Sequence, residues 1–158
     1  MKKHFLTVCL IGILASAFAQ EERVYSDEEL TKYATVMVWA EAEKGRMTGI
    51  YNEWINKNED LGAPRFLDIK KAKGDSVKLL EINVTEIELS AFNKVIANYD
   101  SMTSSFKEVY VGKIKEDIGA GLYNALKADM KTNEEVKKRY EAIVMGLKKE
   151  SSEDESDE

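Results

Sequence analysis

Apolar residues recur at alternating steps of three and four along residues 30–54: Leu30, Tyr33, Met37, Ala40, Met47, Tyr51 and Trp54, with Lys44 as the one break. That spacing marks one buried face of an α-helix lying against a partner helix. A second stretch repeats the pattern with Leu89, Phe92, Ile96, Tyr99, Phe106 and Tyr110, and its break, Thr103, falls at the same place as Lys44. At a constant offset of 59, Ser26 pairs with Thr85, Leu30 with Leu89, Tyr33 with Phe92, Val36 with Val95, Tyr51 with Tyr110 and Ile55 with Ile114. Each copy opens on a capping box, Ser26 with Glu29 and Thr85 with Glu88, in which hydroxyl and carboxylate satisfy N–H groups that the first turn leaves orphaned. Neither stretch contains proline. The first predicts a helix of roughly 45–50 Å at about 1.5 Å per residue, and the second copy is its obvious partner.

Shorter elements follow each copy. Gly62 and Pro64 end the first helix and start the next. Arg65–Lys73 reads as a short helix with Phe66 and Ile69 inward, Gly74 breaks it, and Asp75–Ile82 reads as another. In the second copy Asp117-Ile118-Gly119-Ala120 echoes Asp60-Leu61-Gly62-Ala63, and Tyr123 and Leu126 echo Phe66 and Ile69. Asn133 caps a last helix with Val136, Tyr140, Ile143, Val144 and Leu147 on its inner side. No strand signal stands out. The expected fold is therefore all-α: a helical bundle with coiled-coil-like seams, built of two tandem repeats, residues 26–82 and 85–141. Each repeat is a long amphipathic helix followed by two short ones.

The two ends differ from the body. Residues 1–19 read as a cleaved signal peptide: Lys2, Lys3 and His4 form a basic start, residues 5–13 are almost wholly apolar, and Ala17-Phe18-Ala19 is a small-x-small cleavage site. The apolar run falls short of the roughly 20 residues of a membrane span, so no stable span is expected after cleavage. Residues 20–25 read as a short leader, and residues 20–149 as one helical domain. Residues 150–158 hold the acids Glu150, Glu153, Asp154, Glu155, Asp157 and Glu158 with nothing apolar, which predicts a disordered acidic tail that keeps the protein soluble. Cleavage removes two of the 23 basic residues and none of the 29 acids, so the formal charge moves from −6 to −8. The only Cys and His, Cys9 and His4, leave as well. The mature chain then has no disulfide, thiol nucleophile, imidazole base or Cys/His metal site.

One set of spacings resembles a known family. A cap followed by E-L-x-x-Y/F opens each long helix. Leu61 is followed by Phe66 and Ile69, and Ile118 by Tyr123 and Leu126. Asn133, Val136 and Arg139 stand at the spacing of an Asp-x-x-Leu-x-x-Arg ending. Over residues 26–143 the chain resembles, in doubled form, the bacterial secreted family catalogued as domain of unknown function 4168. The family's glycine precedes the apolar residue, whereas Gly62 and Gly119 follow it. The resemblance implies an all-helical envelope protein and brings no catalytic residue with it.

Motifs that could carry chemistry are sparse. Ser104-Ser105-Phe106-Lys107 has the S-x-x-K spacing of serine acyl-enzymes but lacks their S-D-N and K-T-G elements; it reads as a solvated helix face. Asn56, Asn58 and Asp60 alternate as calcium ligands do, but Gly62 and Leu67 stand where that loop needs another spacing and a Glu, so they read as a helix-ending turn. Gly45 and Gly49 form a G-x-x-x-G, either a weakened stretch of helix or a close crossing. Asn83-Val84-Thr85 matches a glycosylation sequon and reads as a helix cap. There is no phosphate loop and no basic stripe, which argues against nucleotide and nucleic-acid binding. The sequence points to no catalytic, metal or cofactor-binding residue. The expectation is a periplasmic or extracellular, non-enzymatic interaction or stress-protective protein, sharpest as a holdase for protein clients, with a homodimer left open. The alternative is a carboxylate-based hydrolase of envelope polymers, which needs two facing acids. An exposed apolar trough would favour the holdase.

Overall fold

The computed structural model describes residues 23–154, with side chains through residue 150. Residues 1–22 and 155–158, which include the expected signal peptide and the end of the acidic tail, lie outside the described residues. Within them the chain is all-helical: α1 (Asp27–Asn56), α2 (Ala63–Ala72), α3 (Ser76–Glu81), α4 (Glu86–Lys113), a π-helical turn (Ile114–Ile118), α5 (Ala120–Asp129) and α6 (Glu134–Asp154). No helix among them is long and apolar enough to cross a membrane.

Local chemistry sets the boundaries. Both long helices start on complete capping boxes, Ser26 with Glu29 and Thr85 with Glu88. Pro64 sits in the first turn of α2, where its missing N–H costs nothing. Asp75 caps α3 by accepting from the N–H groups of Val77 and Lys78, and Asn133 likewise accepts from Glu135 and Val136 at the start of α6. Asn58 Oδ1 accepts from the Asp60 N–H at 3.1 Å, closing the turn after α1. Gly119, at φ +85°, makes the sharp exit from the π-helical turn, a conformation that disfavours residues with a Cβ.

Side-chain ties fix the arrangement. Tyr110 with Met37, Phe106 with Trp39 and Tyr99 with Tyr51 show that α1 and α4 run antiparallel. Arg139 with Asp27, Tyr140 with Tyr33 and Lys148 with Glu41 show that α6 runs parallel to α1. The expected pairing of α1 with α4 is present, and α1 packs along α6 as well. The ties to α6 run through Asp27, Tyr33 and Glu41, so α6 lies along the side of α1 next to its contact with α4.

Two apolar cores sit at opposite ends of the α1–α4 pair. One gathers Tyr25, Leu30, Tyr33, Val36, Ile114, Ile118, Leu126 and Val136. The other gathers Ile55, Leu61, Phe66, Ile69, Ala91, Phe92 and Val95. Between them the two helices form a waist. The expected seam residues are all buried or half-buried, and the two breaks, Lys44 and Thr103, are exposed.

Three expectations change. The helix that ends the second half is 21 residues, against six for α3. It has α1 to lie on, whereas α3 turns through Asn83, at φ +49°, straight into α4. Helix also continues through residues 150–154, the start of the expected disordered tail, because extending a formed helix needs no new nucleus. Finally, Tyr25 is no leader: it is only 1% exposed and belongs to the first core.

An ion pair secures the start of α4. Arg65 on α2 donates to Glu88 through Nε (2.6 Å) and Nη2 (3.0 Å), and also to the Asn83 carbonyl. Its guanidinium, helped by the Thr85 N–H, holds the Glu88 carboxyl down at about 2. A carboxylate depressed in the folded state contributes stability above its unfolded pKa of about 4.3 and loses it as pH falls toward the folded value. The melting temperature should therefore fall between about pH 4.5 and 2. Glu88→Gln should start lower and fall less over the same window. Parallel acid curves for the two proteins would remove Glu88 from the account.

Candidate functional site

The waist carries a groove on the face of the α1–α4 pair turned away from α6. Trp39, Glu43 and Arg46 line it from α1; Met102, Ser105, Phe106 and Val109 line it from α4. Its volume is about 400 Å³. Steps of three and four place both sets of residues on single helix faces, so two regular antiparallel helices are enough to build it.

The floor is aromatic. Trp39 stacks on Phe106 with centroids 5.8 Å apart and planes 21° from parallel, and Phe106 stacks in turn on Tyr110 at 5.7 Å. Lys113 Nζ lies 5.1 Å from the Trp39 ring centroid and Lys44 Nζ lies 5.8 Å from that of Phe106. Val109 remains 51% exposed. The rim is charged: Arg46 donates to both Glu43 oxygens, at 2.9 and 2.5 Å. That pairing lowers the Glu43 pKa and raises that of Arg46, so the carboxyl is held ionised and makes a poor proton donor. An apolar floor with a hydrogen-bonding rim has the chemistry of a binding surface.

Behind the groove, four tyrosines close the first core. Tyr33 lies 5.8 Å from Tyr123 and 5.7 Å from Tyr140, and the Tyr110 and Tyr123 hydroxyls are 3.2 Å apart. Burial pushes Tyr33 up to about 12 and raises Tyr110 and Tyr140 as well. These three are therefore neutral at ordinary pH and act as packing and hydrogen-bonding groups.

The motif residues fall into structural positions. Ser104, Ser105 and Lys107 are exposed on α4, and only Ser105 reaches the groove. Gly45 and Gly49 are exposed, and a Cβ at either would meet no described atom within 4 Å, so no helix crosses closely there. Asn83 forms the turn before α4 and Thr85 caps it. Leu61, Phe66 and Ile69 fill one core; Ile118 and Leu126 fill the other, with Tyr123 against it. Asn133 caps α6, Val136 is buried, and Arg139 donates to the Tyr25 carbonyl and Asp27. Two shallow clefts each hold two acids beside lysines, Asp68 and Glu81 in one and Asp60 and Glu86 in the other. Among the described residues no group of three or more His, Cys, Asp or Glu could hold a metal ion.

Sequence reasoning did not single out the groove. Its signal is the second apolar-and-charged face of α1, Trp39-x-x-x-Glu43-x-x-Arg46, which lies off the heptad seam. Comparison with known proteins found no matching family model, no matching curated protein and no matching solved structure.

Proposed function

We propose that this chain is an exported, non-enzymatic helical protein that holds partly unfolded protein clients, with the waist groove as the surface that engages them. The observation that carries this reading is the aromatic trough itself: half-buried Trp39, Met102 and Phe106 and exposed Val109 line an open groove beside the charged Glu43–Arg46 rim. Soluble proteins rarely leave apolar side chains clustered in a groove unless something docks there. Further exposed apolar residues, Leu67, Val77, Leu80, Ile87 and Met145, add surface of the same character.

The proposal includes a tandem origin, as a doubled form of the family catalogued as domain of unknown function 4168. Equivalent positions in the two cores support it. Leu30, Tyr33, Val36 and Met37 stand in one where Leu89, Phe92, Val95 and Ile96 stand in the other. Export rests on the basic start, apolar run and Ala17-Phe18-Ala19 site of the sequence.

Light scattering from a heat-unfolded client enzyme tests the reading. The wild-type chain should suppress aggregation at a few-fold molar excess. The Trp39→Ser/Val109→Ser variant, with unchanged helical content, should lose most of that suppression. A wild-type chain that protects no client, or a variant that protects equally well, would overturn the proposal.

A further inference from the structure

The two long helices are weakest at the same level. α1 carries Gly45 and Gly49 there, and α4 carries Ser101, Thr103, Ser104 and Ser105. The ties between Trp39 and Phe106 and between Tyr51 and Tyr99 bracket both stretches, so they lie at one height in the antiparallel pair. Glycine is the poorest helix former after proline, and serine and threonine compete for backbone hydrogen bonds. Packing does little to offset this. Between Ala40 and Ile55, α1 fully buries only Met47; between Val95 and Ile114, α4 fully buries no residue. The breaks Lys44 and Thr103 fall in the same span and are exposed. No described neighbour approaches a Cβ position at Gly45 or Gly49, so close packing does not account for either glycine.

We propose that the waist is a hinge that lets the two cores bend relative to each other and so opens and closes the aromatic groove. The groove reaches into the weak level: Arg46 lies between the two glycines of α1 and Met102 and Ser105 lie within the polar stretch of α4, while Trp39 and Val109 lie on the side of the first core. Bending α1 against α4 there changes the separation of the groove walls while each core, filled by its own short helices, moves as a unit. This deepens the client-binding reading by giving its groove a regulated width, and its link to clients rests on that reading. The bending itself does not.

Spin labels report the bending directly. They are placed at Lys71→Cys on α2 and Asn124→Cys on α5, both exposed and at opposite ends. The full chain carries Cys9→Ser so that no other thiol is labelled. The distance distribution should be broad in this background and should narrow when Gly45→Ala and Gly49→Ala are added. The same alanines should reduce client protection at least twofold while raising the melting temperature. A single narrow distance before the alanines are added, or a distribution they leave unchanged, would overturn the hinge. Narrowing with client protection unchanged would overturn its coupling to the groove. If the wild-type chain protects no client, the functional reading fails, and the distances still decide the hinge.

Discussion

Phe92→Ala should lower the stability of the protein by about 3–5 kcal/mol. The ring is fully buried, 4.8 Å from Phe66, with Lys73 Nζ 5.4 Å above it. Truncation removes its apolar surface and leaves a cavity that α2 and α4 cannot close without moving their caps. Leu126→Ala in the other core should cost about 2–5 kcal/mol for the same reason. The two sites lie in separate cores: Phe92 with Ile55, Phe66 and Ile69 in one, and Leu126 with Leu30, Tyr33 and Ile118 in the other. Their effects should therefore add within about 0.5 kcal/mol in the double variant. Urea denaturation measures all three. A coupling above about 1 kcal/mol would mean that the waist transmits packing and that the two cores behave as one.

Much of this architecture was legible because it rests on local chemistry. Ser26 and Glu29, Thr85 and Glu88, Pro64, Asp75 and Asn133 each act within four residues of themselves, so a sequence reading places them correctly. The seam was legible for the same reason, since a period of three and four states which face of a helix is buried. It does not state against what. Glu41 lies off that seam on an exposed face of α1, and nothing local shows that Lys148, 107 residues later, would meet it. The end of α6 was hidden likewise: its apolar stripe stops at Leu147, whereas the helix runs on to Asp154.

The groove was hidden for a different reason. Phe106 belongs to the seam of α4, but Trp39, Glu43, Arg46, Met102 and Val109 lie off the seam of either helix. They become one site only when α1 and α4 are set antiparallel and brought into register. The weak stretches behave similarly. Gly45-x-x-x-Gly49 alone suggests either a soft helix or a close crossing, and the empty space around both glycines removes the crossing. That the serines of α4 stand opposite is a fact of register.

Tyr25 shows most clearly what a local reading overlooks. It precedes the Ser26 cap within a stretch that has no pattern of its own, yet with Leu30 it occupies the two positions of a hydrophobic staple, and both residues lie in the first core. Its hydroxyl donates to Asp129 at 2.5 Å, and its carbonyl accepts from Arg139 at 3.0 Å. One residue thus ties the start of α1 to α5 and α6. Tyr25→Ala should cost about 3–5 kcal/mol, and Tyr25→Phe about 1–2 kcal/mol, because Asp129 loses its donor. Burial, with Asp129 beside it, pushes the Tyr25 hydroxyl up to about 12. A group raised in the folded state contributes fully below its unfolded pKa of about 10 and loses that contribution as pH rises through the folded value. The wild-type chain should therefore lose stability between about pH 10 and 12, and the part due to Tyr25 should be missing from Tyr25→Phe. Denaturation at pH 8 and pH 11.5 compares them. If the gap between the two proteins is as wide at pH 11.5 as at pH 8, the Tyr25–Asp129 bond does not hold the N-terminal segment in place.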